Sequence, residues 1–336
     1  MYNDSIATEV IFEHNWEDLI DNIPTKVFVI DKIFFNLHRD IIIPILNNDP
    51  YYLFDAKESD KNITNLIDIL SFFQKEEINR AFHIVCIGGG ITTDIGSFAA
   101  SIYMRGCKLV LLPTTFLGMI DASIGGKTAI NFQGIKNNVG SFYCADQVII
   151  NSKFLESLPR LELINGWAEC VKVALIDGNN FLTKLSANKQ KLDDFIISEA
   201  IKIKNDICSQ DPFDNEKRQL LNLGHSVGHI IEVISNFSIS HGKSVAIGLK
   251  VIAGISYADG FVSQSRYNKI LKLLSLYELD FKQQFEVDYS IIYDILKQDK
   301  KNRKLMSLVL FSEKSVFVQK MTLEEAVALI EKHIYN

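Results

Sequence analysis

The sequence has few cysteines and no long apolar run, and both shortages exclude classes of protein. It contains five cysteines in 336 residues, without a C-x-x-C pair or a regular spacing. That pattern argues against a disulfide framework and favours reduced thiols in the cytoplasm. No stretch approaches the roughly 18 uninterrupted apolar residues of a transmembrane helix, so no membrane association is expected. The first residues are acidic and lack the apolar core of a signal peptide, which also predicts a cytoplasmic protein.

Excess positive charge is missing as well. Lysine and arginine number 35 against 41 aspartate and glutamate residues, which gives a net charge of −6. This balance argues against nonspecific binding to nucleic acid. An anionic substrate would therefore have to be bound by cations gathered locally. The length and the 47% hydrophobic content predict a globular enzyme with two domains, or one large α/β unit with an added lobe.

The first half of the chain has the pattern of a parallel α/β sheet. Residues 82–87, FHIVCI, and 109–112 are continuous apolar runs, which are typical of strands buried on both faces. Three glycines and a predicted helix over 92–103 separate these runs, so the order is that of a βαβ unit. The other elements predicted in this half are short strands at 26–31 and 51–54 and a helix over 61–74.

The glycine turn at residues 88–90 is a candidate phosphate-binding turn. Glycines let backbone N–H groups approach an anion, and the N-terminus of the following helix adds a favourable dipole. The turn departs from G-x-G-x-x-G because no third glycine follows Gly88 and Gly90, and Thr93 and Asp94 stand there instead. A purely structural tight turn is the alternative interpretation. Thr114 and Thr115 follow the next strand, at the sheet edge where ligands of open α/β folds gather.

Residues 120–140, IDASIGGKTAINFQGIKNNVG, are predicted to form a loop because they are rich in glycine and polar side chains. Lys127 and Lys136 stand beside glycines or amides rather than at the spacing of a charged helix face. Lysines in that setting favour an anion or sugar site, and a solvated surface loop is the alternative. The polar residues of interest are Asp121, Ser123, Lys127, Asn131, Lys136 and Asn137.

From about residue 151 the pattern becomes mainly helical. A domain boundary is therefore predicted near 150–158, between domains of residues 1–152 and 153–336. The predicted helices cover 161–176, 192–208, 218–234, 243–257 and 323–334, and a small strand covers 305–311.

The segment at residues 221–232, LNLGHSVGHIIE, holds two histidines at helical spacing. His225 and His229 are four residues apart, so on a helix both imidazoles share one face. His241 follows twelve residues later and Glu169 lies upstream. Two or three histidines with one carboxylate suit zinc or a similar metal. The alternative is ordinary packing or surface histidines. On the same predicted helix, Arg218 and Asn222 share the histidine face, which is therefore either solvated or lines a site.

Several long strings in the sequence belong together. They are GGGITTDIGSFAA, YMRG, LLPTTFLGMIDASIGGKTAIN, KNNVG, GWAECVK, LLNLGHSVGH, HGKSVAIG and QDKK. Through them the chain resembles the 3-dehydroquinate synthase family of the sugar phosphate cyclases, over about residues 58–301. The GGKTAIN and NLGHSVGH strings resemble the dehydroquinate branch rather than the valiolone-type cyclases.

This resemblance implies a Rossmann-like NAD domain with a parallel sheet, followed by a mainly helical domain that binds metal and substrate. One divalent metal, zinc or cobalt, would be held by Glu169, His225 and His241. His229 would then lie beside the substrate phosphate and not on the metal. NAD would be bound near Asp31, Glu58, Lys61, Gly89, Gly90, Asp94, Thr114, Thr115, Asp121, Ser123 and Lys136.

The resemblance also implies a substrate, a seven-carbon keto-acid phosphate, whose carboxylate and phosphate both need fixed cations. The reaction implied is oxidation of a ring hydroxyl, loss of phosphate, reduction, ring opening and an aldol closure, with NAD regenerated in each cycle. Arg105 would reach the phosphate bound to the neighbouring subunit of a homodimer. The substrate residues would be His229, Lys127, Lys172, Lys204, Arg218, Asn222 and Asn137, with one of Lys300 and Lys301.

Three positions depart from the usual family pattern. Lys243 replaces the acid of the usual HGE string, close to His241, and so puts the surroundings of the metal in question. Glu216 stands where a glycine is usual before the arginine, and GITTD is not the commonest form of the glycine turn. The alternatives to dehydroquinate synthesis are another sugar phosphate cyclase, a polyol dehydrogenase similar to glycerol dehydrogenases, and a non-catalytic binding protein on the same scaffold.

Overall fold

The computed structural model describes residues 8–188, 190–282, 287–299 and 305–335. Its contacts divide the chain into two compact units, the first ending at Pro159 and the second beginning at Arg160. The assignment of NAD to one domain and of metal and substrate to the other stays a prediction.

The first unit is built on a six-stranded sheet in which every strand pairs in parallel. The strands are β1 (Glu9–Phe12), β2 (Lys26–Asp31), β3 (Tyr51–Phe54), β4 (His83–Gly88), β5 (Lys108–Pro113) and β8 (Gln147–Ile150), in the spatial order β1-β8-β5-β4-β2-β3. The predicted parallel α/β fold is confirmed, and the four strands predicted in this half are found. β1 and β8, each four residues long, were not predicted.

Helices cover the buried strands of this sheet. They are α1 (Trp16–Asp21), α2 (Lys32–Leu37), α3 (Arg39–Leu46), α4 (Ile63–Lys75) and α5 (Gly90–Ile102). The α5 helix packs closely on β4 because Gly96 has no side chain, and a Cβ there would collide with the Cys86 sulfur. Close helix-to-strand packing is one task of the third glycine in a dinucleotide-binding fingerprint. In this chain Gly96 meets that need, three residues beyond the fingerprint position, which is Thr93.

The direction of winding reverses between β2 and β4. From β2 the chain crosses to β3 on one side, and it then returns to β4 and β5 on the other side of β2. Ligands of open α/β sheets bind outside the carboxyl ends of the strands at such a switch point. Here those ends are Asp31 and Gly88.

The predicted loop at 120–140 is wrong in part, because most of it forms a β-hairpin. β6 (Lys127–Phe132) and β7 (Ile135–Phe142) pair antiparallel around a turn at Gln133 and Gly134, both with positive φ. Buried residues alternate along the start of β6, which is strand periodicity that the glycines hid. Only the π-helical turn Gly118–Ala122 and the residues after it precede the hairpin as irregular structure.

The second unit is mainly helical, as predicted. Its central helix is α10, whose residues are mostly buried and which packs against α6, α9, α11 and α13. A two-stranded antiparallel ribbon, β9 (Met306–Phe311) with β10 (Val316–Met321), lies beside it. The helices are α6 (Arg160–Asp177), α7 (Asn180–Asn188), α8 (Asp194–Gln210), α9 (His225–Ile234), α10 (His241–Ala258), α11 (Gln264–Leu276), α12 (Tyr289–Asp299) and α13 (Leu323–His333). None of the described helices is both long enough and apolar enough to cross a bilayer.

The predicted continuous helix at 218–234 is wrong. The chain forms a short 3-10 helix, Lys217–Asn222, and α9 starts only at His225. Between them Gly224 adopts a left-handed backbone with φ +77°, which favours glycine. A Cβ there would lie 3.0 Å from the Leu249 nitrogen in α10, so space also demands glycine. Arg218 and Asn222 therefore do not share a helix face with the two histidines.

Candidate metal centre and nucleotide-binding edge

Three candidate ligands meet in the second unit, each carried by a different helix. Glu169 lies midway along α6, and His225 and His241 are the first residues of α9 and α10. The Nε2 atoms of His225 and His241 lie 3.5 Å and 3.3 Å from the same oxygen, Oε1 of Glu169. One ligand atom from each residue falls within 4.8 Å of the others. The fold thus brings together Glu169 and two histidines that follow it by 56 and 72 residues in the sequence.

The surroundings of Glu169 fit a bound cation. The side chain is 0% exposed, and neither carboxylate oxygen has a hydrogen-bond partner of regular geometry. The Lys172 ammonium lies against Oε2, on the side away from the histidines' shared oxygen. A buried carboxylate without hydrogen bonds is costly unless a cation compensates it. One carboxylate and two imidazoles, with a position left open, match the ligand set of catalytic zinc sites.

Both imidazoles are oriented for metal binding by contacts at Nδ1. The Nδ1 atom of His241 lies 2.9 Å from Oε1 of Glu232, and that of His225 lies 3.2 Å from the Leu223 carbonyl oxygen. With the proton on Nδ1 donated to these acceptors, Nε2 turns its lone pair towards Glu169. Sequence reasoning missed Glu232, although it stands seven residues after His225, two turns along the same helix face.

The three groups hold unlike charge states when no cation lies between them. Burial and the Lys172 ammonium lower the pKa of His225 to about 4. Burial also disfavours charge on His241, but hydrogen bonds to Glu169 and Glu232 raise its pKa to about 9. Burial works against ionisation of Glu169, and Lys172 with the two imidazoles holds its pKa well below the ordinary range. Glu169 is therefore anionic before a divalent cation binds, and His241 has to release a proton when its Nε2 takes the cation.

Glu232→Gln should weaken metal binding about 10- to 100-fold, the usual effect of removing a carboxylate behind a metal-bound histidine. Glutamine keeps the size of the side chain and an acceptor oxygen, but it loses the charge that orients His241. The measurement is the zinc dissociation constant of the full chain by competition with a chromogenic chelator. Glu199→Gln on α8 is the control, since the Glu199 carboxylate pairs with Lys184, 3.9 Å away, and not with a histidine ring. Equal zinc affinity in Glu232→Gln and wild type would contradict this role.

The start of α10 lies unusually close to α6. A Cβ at Gly242 would collide with the Asn165 Cα, so only glycine permits this approach. The Gly242 N–H donates to Oδ1 of Asn165 at 3.2 Å. The contact fixes the neighbouring His241 relative to Glu169, one turn further along α6. Sequence reasoning did not single out either residue, because only the tertiary packing gives them this task.

The cations predicted to bind substrate in the second unit are strongly buried. Lys172, Lys204 and Arg218 are 2%, 6% and 3% exposed. Burial of cations is rare in proteins unless anionic groups compensate them, and for Lys172 the Glu169 carboxylate is such a group. His229 is half-buried one turn after His225 and lies outside the three-ligand cluster, whereas Asn222 is exposed. Lys300 and Lys301 lie outside the described residues.

Asp211 organises the loop that carries Arg218. Its Oδ1 accepts from the Asn215 N–H at 2.9 Å, and its Oδ2 accepts from the N–H groups of Glu216 at 2.7 Å and Arg218 at 3.0 Å. The guanidinium of Arg218 in turn donates to the Pro212 carbonyl oxygen at 2.9 Å. One carboxylate thus fixes both the backbone and, through the loop, the side-chain direction of Arg218.

Asp211→Asn should reduce stability at neutral pH but not in acid. Hydrogen bonds from the backbone N–H groups, that of Asn215 foremost, hold the pKa of Asp211 below its ordinary value of 3.8. A lowered pKa in the folded state stabilises the protein above the ordinary pKa, and the stabilisation is lost as the pH falls. Urea midpoints of wild type and variant should therefore differ at pH 7 and converge below about pH 4. Asp193→Asn is the control, because asparagine caps a helix as well as aspartate does. Parallel curves for Asp211→Asn and wild type would contradict the prediction.

In the first unit, several residues predicted to bind cofactor lie at one edge of the sheet. Asp31 ends β2, Gly89 and Gly90 follow β4, and Thr114 and Thr115 follow β5. The α5 helix begins at Gly90 with Gly89 as its N-cap, and a glycine cap has no side chain to accept from the first N–H groups of the helix. A Cβ at Gly89 would lie 3.0 Å from the Thr115 methyl group, so a side chain would fill this space. An open helix start at the switch point fits the pyrophosphate of a dinucleotide.

The acidic residues around this edge have defined partners. Lys61, 3% exposed, pairs with Asp94 at 2.6 Å, and Oε1 of Glu58 accepts from the Asn131 amide at 2.8 Å. Asp31 caps α2 by accepting from the N–H groups of Ile33 and Phe34. Ser123 is buried and donates to the Gly118 carbonyl oxygen, which is a structural task. Lys136 lies on β7, and the charge of Asp121 acts on Asp94.

The remaining predicted residues of the first unit are exposed. Lys127 starts β6, and Asn137 lies on β7 with a left-handed backbone, φ +51°. Arg105 sits in a tight turn in which Met104 and Arg105 have φ of +48° and +66°. The turn is secured by the Tyr143 hydroxyl, which donates to the Cys107 carbonyl oxygen at 2.7 Å.

Comparison with known families accounts for both units. The family described as 3-dehydroquinate synthase N-terminal matches residues 51–165, and 3-dehydroquinate synthase C-terminal matches residues 166–302. The chain belongs to the 3-dehydroquinate synthase family. The family resemblance predicted from the sequence is thereby confirmed.

Full-length relatives agree with this membership. The chain is 35% identical over 298 residues to a 3-dehydroquinate synthase of Saccharolobus solfataricus, covering 85% of this chain and 81% of the relative. It is 36% identical over 290 residues to a 3-dehydroquinate synthase of Pyrococcus abyssi, covering 83% of each.

Solved structures share the fold at lower identity. A 2-epi-5-epi-valiolone synthase from Streptomyces hygroscopicus, with NAD+ and Zn2+ bound, superposes with a TM-score of 0.87 at 22% identity, covering 99% and 98% of the two chains. A 2-deoxy-scyllo-inosose synthase complexed with carbaglucose-6-phosphate, NAD+ and Co2+ gives a TM-score of 0.81 at 22% identity, covering 96% of each. An iron-containing alcohol dehydrogenase gives 0.64 at 13% identity, covering 100% of this chain and 99% of that one. These likenesses concern the fold alone.

The departures from the dehydroquinate synthase pattern leave the metal cluster intact. The Lys243 ammonium lies over the Phe281 ring, 5.2 Å from its centroid, while Glu232 fills the place behind His241. Glu216 contributes its backbone N–H to Asp211, which any residue except proline supplies. GITTD retains Gly90 as the first residue of α5.

Proposed function

We propose that this chain is a 3-dehydroquinate synthase, a lyase that depends on NAD and a divalent metal. It would convert 3-deoxy-D-arabino-heptulosonate 7-phosphate to 3-dehydroquinate and phosphate, in the shikimate route to aromatic amino acids. The observation that carries the proposal is the Glu169–His225–His241 cluster, with both histidines oriented at Nδ1, in a chain of this family. Full-length relatives of that name support it.

When bound, the metal, zinc or cobalt, would acidify the substrate hydroxyl, and NAD would take up and return its hydride. Glu169, His225 and His241 would hold the metal. Glu232 and the Leu223 carbonyl would keep the two imidazoles in the tautomer that metals require. His229 would lie on the substrate side, near the leaving phosphate.

The substrate carries a carboxylate and a phosphate, and buried cations suit both. Lys172, Lys204 and Arg218 are largely removed from water, so their attraction to anions is screened little. Arg218 offers a planar fork of donors, whereas the lysines act as point charges. The exposed Asn222, Lys127 and Asn137, with Lys301, would complete the substrate set. These residues bind, orient and neutralise charge, which is most of what the reaction asks of the protein.

NAD would lie at the switch point of the first unit. Its pyrophosphate would accept from the N–H groups at the start of α5, next to Gly89 and Gly90. Carboxylates such as Glu58 would accept from ribose hydroxyls, as acids do in related dinucleotide sites. The proposed NAD residues are those named from the resemblance: Asp31, Glu58, Lys61, Gly89, Gly90, Asp94, Thr114, Thr115, Asp121, Ser123 and Lys136.

We also propose a cytoplasmic homodimer. Five cysteines without disulfides suit a reducing compartment. Arg105 projects from an exposed turn beside Ile102 and Met104, which are 43% and 49% exposed. Large exposed apolar side chains around an arginine are typical of an interface. In the dimer Arg105 would reach the substrate phosphate of the other subunit.

A second candidate is another sugar phosphate cyclase, because valiolone and deoxy-inosose synthases share the fold over nearly the whole chain. Those enzymes would use substrates without a carboxylate. Activity on such a substrate would persist when Arg218 or Lys204 is removed, whereas dehydroquinate synthesis would not.

The deciding experiment is an assay of phosphate release from the heptulosonate phosphate, with catalytic NAD and added zinc or cobalt. Stoichiometric phosphate, a carbocyclic keto-acid product and no lasting absorbance of NADH support the proposal. Accumulating NADH would point to a dehydrogenase, and release of phosphate only from sugar phosphates without a carboxylate would point to another cyclase. No release of phosphate by folded, metal-loaded protein would overturn the proposed function.

A further inference from the structure

Asn131, near the end of β6, uses its whole amide group within the first unit. Its Nδ2 donates to the Glu58 carbonyl oxygen at 3.0 Å and to Oε1 of Glu58 at 2.8 Å. Its Oδ1 accepts from the Asn137 N–H at 2.9 Å. Its own backbone N–H donates to the Lys61 carbonyl oxygen at 2.7 Å. Asn131 therefore makes hydrogen bonds to two segments. One is the short 3-10 helix Glu58–Asp60 together with Lys61, the residue after it, and the other is β7, the second strand of the hairpin.

The local backbone is built to aim Asn131 away from its own hairpin. The β6–β7 register shifts between Ile130 and Phe132, so Asn131 drops out of the ladder. Instead its backbone bridges in parallel to Asn62, just before α4. An irregularity of this kind re-aims a side chain and is frequent next to active sites. The register shift and the amide contacts are independent observations that agree.

The contacts join two groups of residues with different predicted ligands. On one side, Glu58 and Lys61 belong to the nucleotide-binding edge, and the Lys61 ammonium forms an ion pair with Asp94 in the first turns of α5. On the other side, the hairpin carries the substrate residues Lys127 and Asn137. The Asn137 N–H donates to Asn131, and Asn137 has a left-handed backbone conformation. A residue other than glycine keeps such a conformation only when its surroundings stabilise it.

We propose that Asn131 is a positioning residue that couples NAD binding to substrate binding. It holds the Glu58 carboxylate and the Asn137 backbone in one arrangement. NAD that orders Glu58 would therefore also order Asn137 for substrate, and substrate that orders Asn137 would order Glu58 for NAD. The inference rests on the proposed function, in which Glu58 faces NAD and Asn137 faces substrate. A coupling free energy between two ligands is reciprocal, so it is measurable from the NAD side alone.

The test measures NAD binding to the full chain by titration calorimetry, with and without a phosphonate analogue of the substrate that cannot lose phosphate. In wild type the analogue should lower the NAD dissociation constant. In Asn131→Ala the constant for NAD alone should rise about tenfold or more, because a hydrogen bond to a charged group is lost. The lowering by the analogue should vanish in the same variant.

Asn65→Ala is the matched control. Asn65 also donates its amide to this 3-10 helix, at the Asp60 carbonyl oxygen, 2.9 Å away, but among the described residues its side chain has no hydrogen bond to the hairpin. It should keep the coupling. Asn131→Asp retains the acceptor for the Asn137 N–H but places a second carboxylate beside Glu58. The coupling should therefore be lost in Asn131→Asp and return when Glu58→Gln is added, because the glutamine amide then supplies the donor.

The outcomes separate this inference from the function on which it rests. Wild type that binds no NAD would overturn both. Wild type with coupling that survives unchanged in Asn131→Ala would overturn the inference alone. A lower melting temperature in Asn131→Ala with unaltered coupling would mean that Asn131 is only a structural tie, and it too counts against the proposal.

Discussion

His225→Ala is expected to purify without its metal and to lose roughly a thousandfold or more of its turnover. The variant removes one of the three proposed protein ligands, and a divalent metal held by the two that remain should dissociate readily. Turnover falls because the metal is needed to ionise the substrate hydroxyl. The measurements are metal content by mass spectrometry after dialysis and phosphate release at saturating substrate.

His229→Ala provides the control on the same helix, one turn away. It should retain one metal per chain, because its ring lies outside the cluster formed by Glu169, His225 and His241. Its turnover should nevertheless fall, since the proposed function places His229 beside the leaving phosphate. Loss of metal from His229→Ala, or full metal content in His225→Ala, would show that the ligands have been assigned wrongly.

Arg218→Ala should lower kcat/KM for the heptulosonate phosphate about 30- to 4,000-fold. Removing one partner of a buried, hydrogen-bonded charge pair costs roughly 2–5 kcal/mol. Arg218 is 3% exposed, so water cannot take over its contact with the substrate anion. Arg218→Lys should restore only part of the loss, because an ammonium does not reproduce the fork of the guanidinium. Steady-state kinetics with phosphate detection give the ratio directly.

Arg160→Ala is the matched control for this series, since Arg160 is exposed and pairs with Glu278 at the surface of the same unit. It should leave kcat/KM within about twofold of wild type, as surface ion pairs contribute little. If Arg218→Ala behaves like Arg160→Ala, the buried arginine does not meet the substrate. Undiminished activity of Arg218→Ala on a sugar phosphate without a carboxylate would instead favour the other cyclases.

Periodicity predicted the elements whose burial is uniform or regular. The runs at 82–87 and 109–112 became β4 and β5 with shifts of one residue at their ends, because such apolar segments have no other stable environment. Periodicity failed where the backbone angle of a single residue decides whether a helix continues or a chain turns. Gly224 splits the predicted helix at 218–234 by adopting positive φ, and the glycines around β6 concealed a hairpin. A glycine is compatible with many backbone angles, and the sequence alone does not show which of them it adopts.

The ligand cluster was accessible from the sequence only through the family strings, since nothing in the spacing of Glu169, His225 and His241 brings three helices to one point. The supporting residues were less accessible still. Glu232, Asp211 and Asn131 act through hydrogen bonds to groups that tertiary structure supplies. A carboxylate or an amide at such a position looks the same in sequence as one on a solvated surface. Physical reasoning finds them only when the partner atoms are in place.

The pairing of β1 has a consequence for how the protein is made. Glu9 on β1 lies against Gln147 on β8, which is 138 positions later in the chain. During translation β1 therefore leaves the ribosome long before its partner strand exists. Because a parallel edge strand has no local partner, the sheet closes on that side only after β8 has emerged. Until then the edges of β1 and β5 are unpaired, and nascent chains stalled before residue 147 should be the ones that chaperones retain.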